Sequence, residues 1–254
     1  METQRAPQME TPVASSFNIG SILSRSFSTL MKRPLLFFGL TLLVSMPIQV
    51  MPTLLGISDL ERGGGLLFSF LLQVVGFMLN TAIQGAIAYG VFQVLRGYRP
   101  GFGEALSRGL VRIIPLGIAA ILGGLGIGLG FLLVIVPGVL LWCMWAVVAP
   151  VCTIEKLGPI ASLKRSAALT KGCRLQVFCL GLITYLLLLA IGAATSLLFL
   201  ALAFSIHKGI ALLAVGAITA IPGAFMAVVL ATLYYDLRAV KEGVTLDALA
   251  AVFD

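Results

Sequence analysis

The residues of this chain best placed to do chemistry are four cations, Arg25, Arg108, Lys164 and Arg165. They sit in three similar settings: Leu23-Ser24-Arg25-Ser26, Leu106-Ser107-Arg108-Gly109 and Leu163-Lys164-Arg165-Ser166. Each precedes an uncharged run long enough to cross a bilayer. A cation in that position meets lipid headgroups, where it adds ~1 kcal/mol of attraction to an anionic surface. The chemistry expected of these residues is therefore binding of anionic lipid or docking of a cytoplasmic protein partner.

A second set is made of amides. Gln73, Asn80 and Gln84 lie seven and four residues apart, on one face of a helix inside an uncharged run. Amides turned to lipid would go unsatisfied, so this face is expected to point into a helix bundle. There it serves either interhelical hydrogen bonding, the commoner use, or a polar path for a transported substrate. A third set lies at span ends. Glu155 and Asp236 are expected to pair with Arg165, Arg174 or Arg238 and so tether surface helices to the bundle. Carboxylates with neither a metal cluster nor a base partner are poor evidence of catalysis.

Enzyme chemistry finds little else to use. No ionisable group falls inside the long apolar runs, where a membrane enzyme or proton-coupled carrier places them. The single histidine, His207, falls in a short loop with no carboxylate near it in sequence. H-E-x-x-H, P-loop and G-x-S-x-G patterns are absent. Cys143, Cys152, Cys173 and Cys179 show no C-x-x-C spacing, and the reading is four structural thiols. The sequence thus points to a non-enzymatic protein with no metal and no cofactor.

The elements that must position these residues follow from composition. The chain has 254 residues, 59% hydrophobic and 11% charged, against roughly 25% charged in soluble domains. Mean hydropathy is +1.09. A water-soluble fold of this size could not hide so much apolar surface. The net charge of +7 is spread beside apolar spans rather than gathered in one patch, which favours lipid headgroups over nucleic acid.

Residues 1–16 are polar, without the apolar core of a signal peptide, and are expected to be disordered. Phe17 to Met31 reads as a helix in the headgroup plane, with Ile19, Ile22, Leu23, Phe27 and Leu30 on one face. Lys32-Arg33 follow, and Pro34 permits a turn into the bilayer. Pro34 to Ser58 is the first span and Gly63 to Leu95 the second, joined by a loop carrying Asp59, Glu61 and Arg62. Arg96 to Arg112 is the second basic segment. With Arg108 set on Arg25, Phe102, Ala105, Leu106 and Leu110 fall on Ile19, Ile22, Leu23 and Phe27, which argues for an internal repeat. The third copy is weaker: Leu163 and Ala167 keep the pattern, while Pro159 and Ser162 do not.

Ile113 to Ile154 is uncharged and would make one helix of ~60 Å, so two spans are expected, turning at Pro137-Gly138. Gly124 with Gly128, and Gly126 with Gly130, form G-x-x-x-G pairs suited to close helix packing. Thr153 to Arg174 holds five Lys/Arg and is the most charged stretch. Leu175 to Ile206 is the fifth span and Gly209 to Tyr235 the sixth, followed by a short terminal helix over 244–254. The expected fold is an all-α integral membrane bundle of six transmembrane helices. It would comprise three repeats of a surface helix plus two spans, over about 17–95, 100–154 and 158–235, within a membrane domain of 17–243.

Alternate connections carry fifteen of the 17 Lys/Arg, and only Arg62 and Lys208 fall on the other side. The positive-inside rule then puts both termini and the three surface helices in the cytoplasm.

At Pro150-Val151, Glu155, Gly158-Pro159, Lys164-Arg165-Ser166, Leu169-Thr170-Lys171-Gly172, Tyr235-Asp236-Leu237-Arg238 and Lys241-Glu242-Gly243, the chain resembles a group of bacterial multi-pass proteins. These include the membrane domain of some glycerophosphodiester phosphodiesterases and the YciC-like inner-membrane proteins. The resemblance covers nearly everything after Phe17. It implies a multi-pass fold in the bacterial inner membrane. The phosphodiesterase reaction belongs to a separate soluble barrel with acidic metal ligands, which these residues do not contain, so no activity is implied.

Overall fold

In a computed structural model, residues 18–54, 66–203 and 208–243 are described. The tail of residues 1–16, the loop with Asp59, Glu61 and Arg62, His207 and the terminal segment 244–254 lie outside them. The described residues form ten helices and no strand. Five stretches are long and apolar enough to cross a membrane, and a sixth is reached if the bent N-terminal helix pair counts as one span.

The first pair is α1 (Ile19–Lys32) and α2 (Pro34–Leu54). Asn18 caps α1, its Oδ1 accepting from the Gly20 amide at 3.0 Å. Pro34 opens α2 at its first position, where a missing N–H costs nothing, and the two axes bend by 87°. Then come α3 (Leu66–Leu95), the short α4 (Phe102–Val111) and α5 (Ile113–Leu133). Next are α6 (Ile135–Met144) and α7 (Val148–Ile154), which act as one broken span. The last are α8 (Pro159–Thr170), α9 (Arg174–Ala203) and α10 (Lys208–Glu242).

The turn within Ile113–Ile154 falls earlier than Pro137-Gly138. Val134 adopts an extended conformation (φ −161°, ψ 151°) and separates α5 from α6. Pro137 then lies in the first turn of α6, where its lost donor has no partner to lose. The glycine pairs divide. A Cβ on Gly126 would meet the Trp145 ring at 2.5 Å, and one on Gly130 would meet the Gly138 Cα at 2.9 Å. Those two permit the tight hairpin of α5 and α6. Gly124 and Gly128 face open space.

The bundle is organised on α10. It packs against α1, α2, α3 and α9, and Val228, Tyr234 and Leu237 are fully buried against a core containing Phe37, Leu40, Val91 and Phe92. Of the spanning stretches α10 is the most buried and α9 the least. Leu182, Tyr185, Leu186 and Leu189 on α9, like Leu125, Leu129 and Leu132 on α5, are exposed. That outer surface suits hydrocarbon, where association depends on close packing because burial from water no longer drives it. Two buried threonine hydroxyls are satisfied within their own helices: Thr184 donates to Leu180 O at 2.8 Å and Thr232 to Val228 O at 2.9 Å, the usual way of hiding a hydroxyl in a span.

The three short helices α1, α4 and α8 gather at one end. Arg25 of α1 pairs with Asp236 of α10, and Arg165 of α8 pairs with Glu242 of the same helix. Tyr235 stacks on Phe92 of α3 at 5.6 Å, and one turn away on α3 Tyr89 donates to Glu104 of α4. The short helices also bury matching positions. The residue three before the arginine (Ile22, Ala105, Ser162) and the one after it (Ser26, Gly109, Ser166) are buried in all three. Thus Ser162, which departs from the apolar pattern, still occupies the buried place. It does so by returning its hydroxyl to Gly158 O at 2.9 Å.

Candidate functional site

Two groups of charged residues occupy this end of the bundle, and they differ in charge balance. The first is closed. Arg165 donates from Nε to both Glu155 oxygens, at 2.8 and 3.1 Å, and from Nη2 to Glu242. Arg238 donates from Nε to Glu242 Oε2 at 2.8 Å and from Nη1 to the Tyr234 hydroxyl at 3.1 Å. Tyr234 in turn donates to Glu155 Oε1 at 2.9 Å. Two arginines meet two glutamates, so the ring is neutral, and it joins the end of α7 to α8 and α10. Burial works against the Arg165 charge, but the hydrogen bonds to Glu155 and Glu242 outweigh it and hold its pKa above the ordinary arginine value. Lys241 completes the junction by donating to Ala168 O at 3.1 Å and to Lys171 O at the end of α8.

The second group is open. A cleft of about 370 Å³ lies where α3 turns into α4, lined by Tyr89, Arg96, Arg99, Glu104, Arg108 and Lys156 among others. Four cations and one carboxylate are among its lining residues. The turn is made by Gly97 at φ +80°, a backbone state open to glycine at no steric cost. It sets Arg96 and Arg99 on the same wall. The Arg96 guanidinium carbon lies 5.1 Å from the centroid of the Phe92 ring and 5.3 Å from that of Tyr98. Arg108 lies over Tyr89 at 5.6 Å. At the floor, Gln93 Nε2 donates to the Tyr89 hydroxyl at 2.7 Å, and that hydroxyl donates to Glu104 Oε1 at 2.6 Å. The far wall comes from the α7–α8 connection. Lys156 there has φ +54°, the one non-glycine in the left-handed region among the described residues, and its carbonyl accepts from Arg112 Nη1 at 3.1 Å.

The sequence-predicted residues are therefore distributed over different roles. Of the four cations, Arg25 and Arg165 are engaged in ion pairs with α10, Arg108 lines the cleft, and Lys164 is exposed on α8. Among the tethers, Glu155 meets Arg165, Asp236 meets Arg25, and Arg238 meets Glu242. Arg174 joins neither; its Nε is buried without a hydrogen-bond partner. The amides do not converge on the bundle interior: Gln73 and Asn80 are exposed, and Gln84, half-buried, donates to Asn80 Oδ1 at 3.1 Å. Each amide one turn from another can satisfy part of its need locally, so the face is not forced inward. Among the described residues no three His, Cys, Asp or Glu side chains are grouped as metal ligands would be. None of the four cysteines is in a disulfide.

Arg96, Arg99 and Lys156 were not singled out by sequence reasoning. The run Arg96-Gly97-Tyr98-Arg99-Pro100 carries a signal, two arginines bracketing a glycine turn. Lys156 carries none, because only the fold brings it to the same cleft.

No family model matches the chain, and neither the curated proteins nor the solved structures give a match.

Proposed function

We propose that this chain is a non-enzymatic multi-pass protein of the bacterial inner membrane that holds anionic lipid headgroups at its basic end. Both termini face the cytoplasm, in keeping with the lysine and arginine asymmetry of the sequence. The three short helices are copies of one unit, in keeping with their shared buried positions, and the chain belongs with the multi-pass proteins it resembles. The observation that carries the reading is the basic cleft, lined by Arg96, Arg99, Arg108 and Lys156 with Glu104, beside helices whose outer sides remain apolar at Phe27, Met31, Leu110 and Val111. Such a surface lies in the headgroup layer with hydrocarbon on one flank and anions on the other.

The test is lipid selectivity. The purified protein is placed in nanodiscs of mixed phosphatidylcholine and phosphatidylglycerol, and the lipid closest to it is measured with spin-labelled analogues. Enrichment of the anionic lipid that weakens with salt supports the reading. A shell with the bulk composition refutes it.

A further inference from the structure

We infer that the cleft between α3, α4 and the α7–α8 connection has an occupant within its own chain: residues 244–254, which follow α10, dock there, and anionic headgroups must displace them. The competition rests on the reading of the basic end as a lipid-binding surface; the docking does not.

The first support is charge complementarity. Residues 244–254 read V-T-L-D-A-L-A-A-V-F-D, with Asp247 and Asp254 and no lysine or arginine, in a chain whose net charge is +7. Arg96, Arg99 and Arg108 line the cleft. A guanidinium fork takes a carboxylate as well as it takes a phosphate, through two parallel N–H···O bonds. The apolar groups agree with the charges. Tyr98 and Arg99 are neighbours among the lining residues, and Tyr98 is 61% exposed. Phe253 and Asp254 offer the matching pair, a ring for the ring and a carboxylate for the guanidinium. Leu246, Leu249 and Phe253 recur at spacings of three and four, the pattern of a segment that buries one side.

The second support is where α10 ends. Gly243 closes the helix at φ +61°, its N–H donating to Ala239 O at 3.1 Å. A left-handed residue at that position turns the chain off the helix axis. The residue before it, Glu242, is bonded to Arg165, and Arg165 is bonded to Glu155. The next residue after Glu155 is Lys156, on the cleft wall. The Arg165 side chain thus bridges from the start of the segment to the site. From the other side α10 backs the cleft directly, since Tyr235 stacks on the lining residue Phe92 at 5.6 Å. A chain of this length extends up to ~36 Å, ample for that step. A ligand tethered so closely has an effective concentration of about millimolar, so weak contacts are enough to hold it.

The experiment places the photoreactive residue benzoylphenylalanine at Phe253 of the full chain in phosphatidylcholine nanodiscs, and identifies the crosslinked peptides by mass spectrometry. Crosslinks to the stretch 89–108 of the same chain are expected. D247N with D254N should lower their yield about threefold, the weight of two partly exposed ion pairs. D247E with D254E should leave it unchanged, because the arginines take the carboxylate and not the side-chain volume. R96Q with R108Q should lower it as D247N with D254N does. Thermal unfolding in detergent shows whether that arginine variant is folded, and the aspartate variants lie outside α1–α10 and carry the test if it is not. Crosslinks to lipid, to a second copy or to other helices in place of 89–108 would overturn the docking. In mixed nanodiscs, phosphatidylglycerol should suppress the crosslink, and D247N with D254N should raise association of spin-labelled phosphatidylglycerol about two- to fivefold. A crosslink that phosphatidylglycerol leaves unchanged would overturn the competition. Absence of anionic preference in the parent and the asparagine variant alike would overturn the lipid reading, while the crosslink in phosphatidylcholine decides the docking by itself.

Discussion

Arg165 Nε donates to both oxygens of Glu155, at 2.8 and 3.1 Å, across the bend between α7 and α8. The pair is only partly open to solvent, with side-chain exposures of 13% and 29%. Breaking such a pair from one side leaves the other charge poorly solvated. Glu155→Gln should therefore cost about 2–3 kcal/mol, below the range for fully buried pairs because water still reaches the arginine. Detergent-solubilised protein should unfold at a lower temperature. A double-mutant cycle with Arg165→Gln should show coupling of about 1–3 kcal/mol. Additive losses would mean that the ring through Glu242 and Tyr234 holds each partner independently.

Ser26 and Ser166 occupy the same place in their helices and should respond oppositely to removal of the hydroxyl. Ser166 Oγ donates to Met144 O at 2.8 Å, so Ser166→Ala should destabilise by about 1 kcal/mol. Ser26 Oγ is buried without a partner, so Ser26→Ala should be neutral or stabilising. Thermal unfolding of the two variants, measured side by side, checks this.

A glycine series should separate close contacts from open faces. A Cβ on Gly109 would lie 2.3 Å from the Ala82 carbonyl, so Gly109→Ala must push α4 off α3, at about 1–3 kcal/mol of overpacking. Gly124→Ala and Gly128→Ala enter open space and should stabilise α5 by up to about 1 kcal/mol each through helix propensity. Unfolding midpoints give the order directly. A destabilised Gly128→Ala would show that another helix lies against that face.

The gathering of α1 and α8 at one end predicts a labelling pattern. In a background with the four cysteines replaced by serine, single cysteines at Ser28 and Lys164, both exposed, should react with a membrane-impermeant maleimide from the same side in oriented vesicles. Labelling from opposite sides would contradict the ion pairs that tie both helices to α10.

How much of this was legible in the sequence depends on distance along the chain. The first short helix was readable because its signals are local: an amphipathic face from Ile19 to Leu30, Lys32-Arg33 at its end, and Pro34 as a pivot. The pairing of Glu155 with Arg165, ten residues apart, was within reach for the same reason. The Val134 turn was not, since a proline marks the start of a helix as readily as its end and Pro137 does the former. The amides misled because a spacing of seven and four fixes a shared face without fixing which way it points. The cleft was half legible, in Arg96 and Arg99, and its far wall depended on a contact that no pattern announces.

The bond between Arg25 and Asp236 joins positions 211 residues apart. Ribosomes add about 5–20 residues per second, so roughly 10–40 s pass between emergence of the first partner and arrival of the second. Throughout that interval Arg25 lacks the carboxylate it pairs with in the folded chain. The helix carrying Asp236 thus works as a latch that closes only after the helices before it have been made. A nascent chain stalled before Asp236 would present its leading helix unfastened to whatever quality-control machinery patrols the membrane.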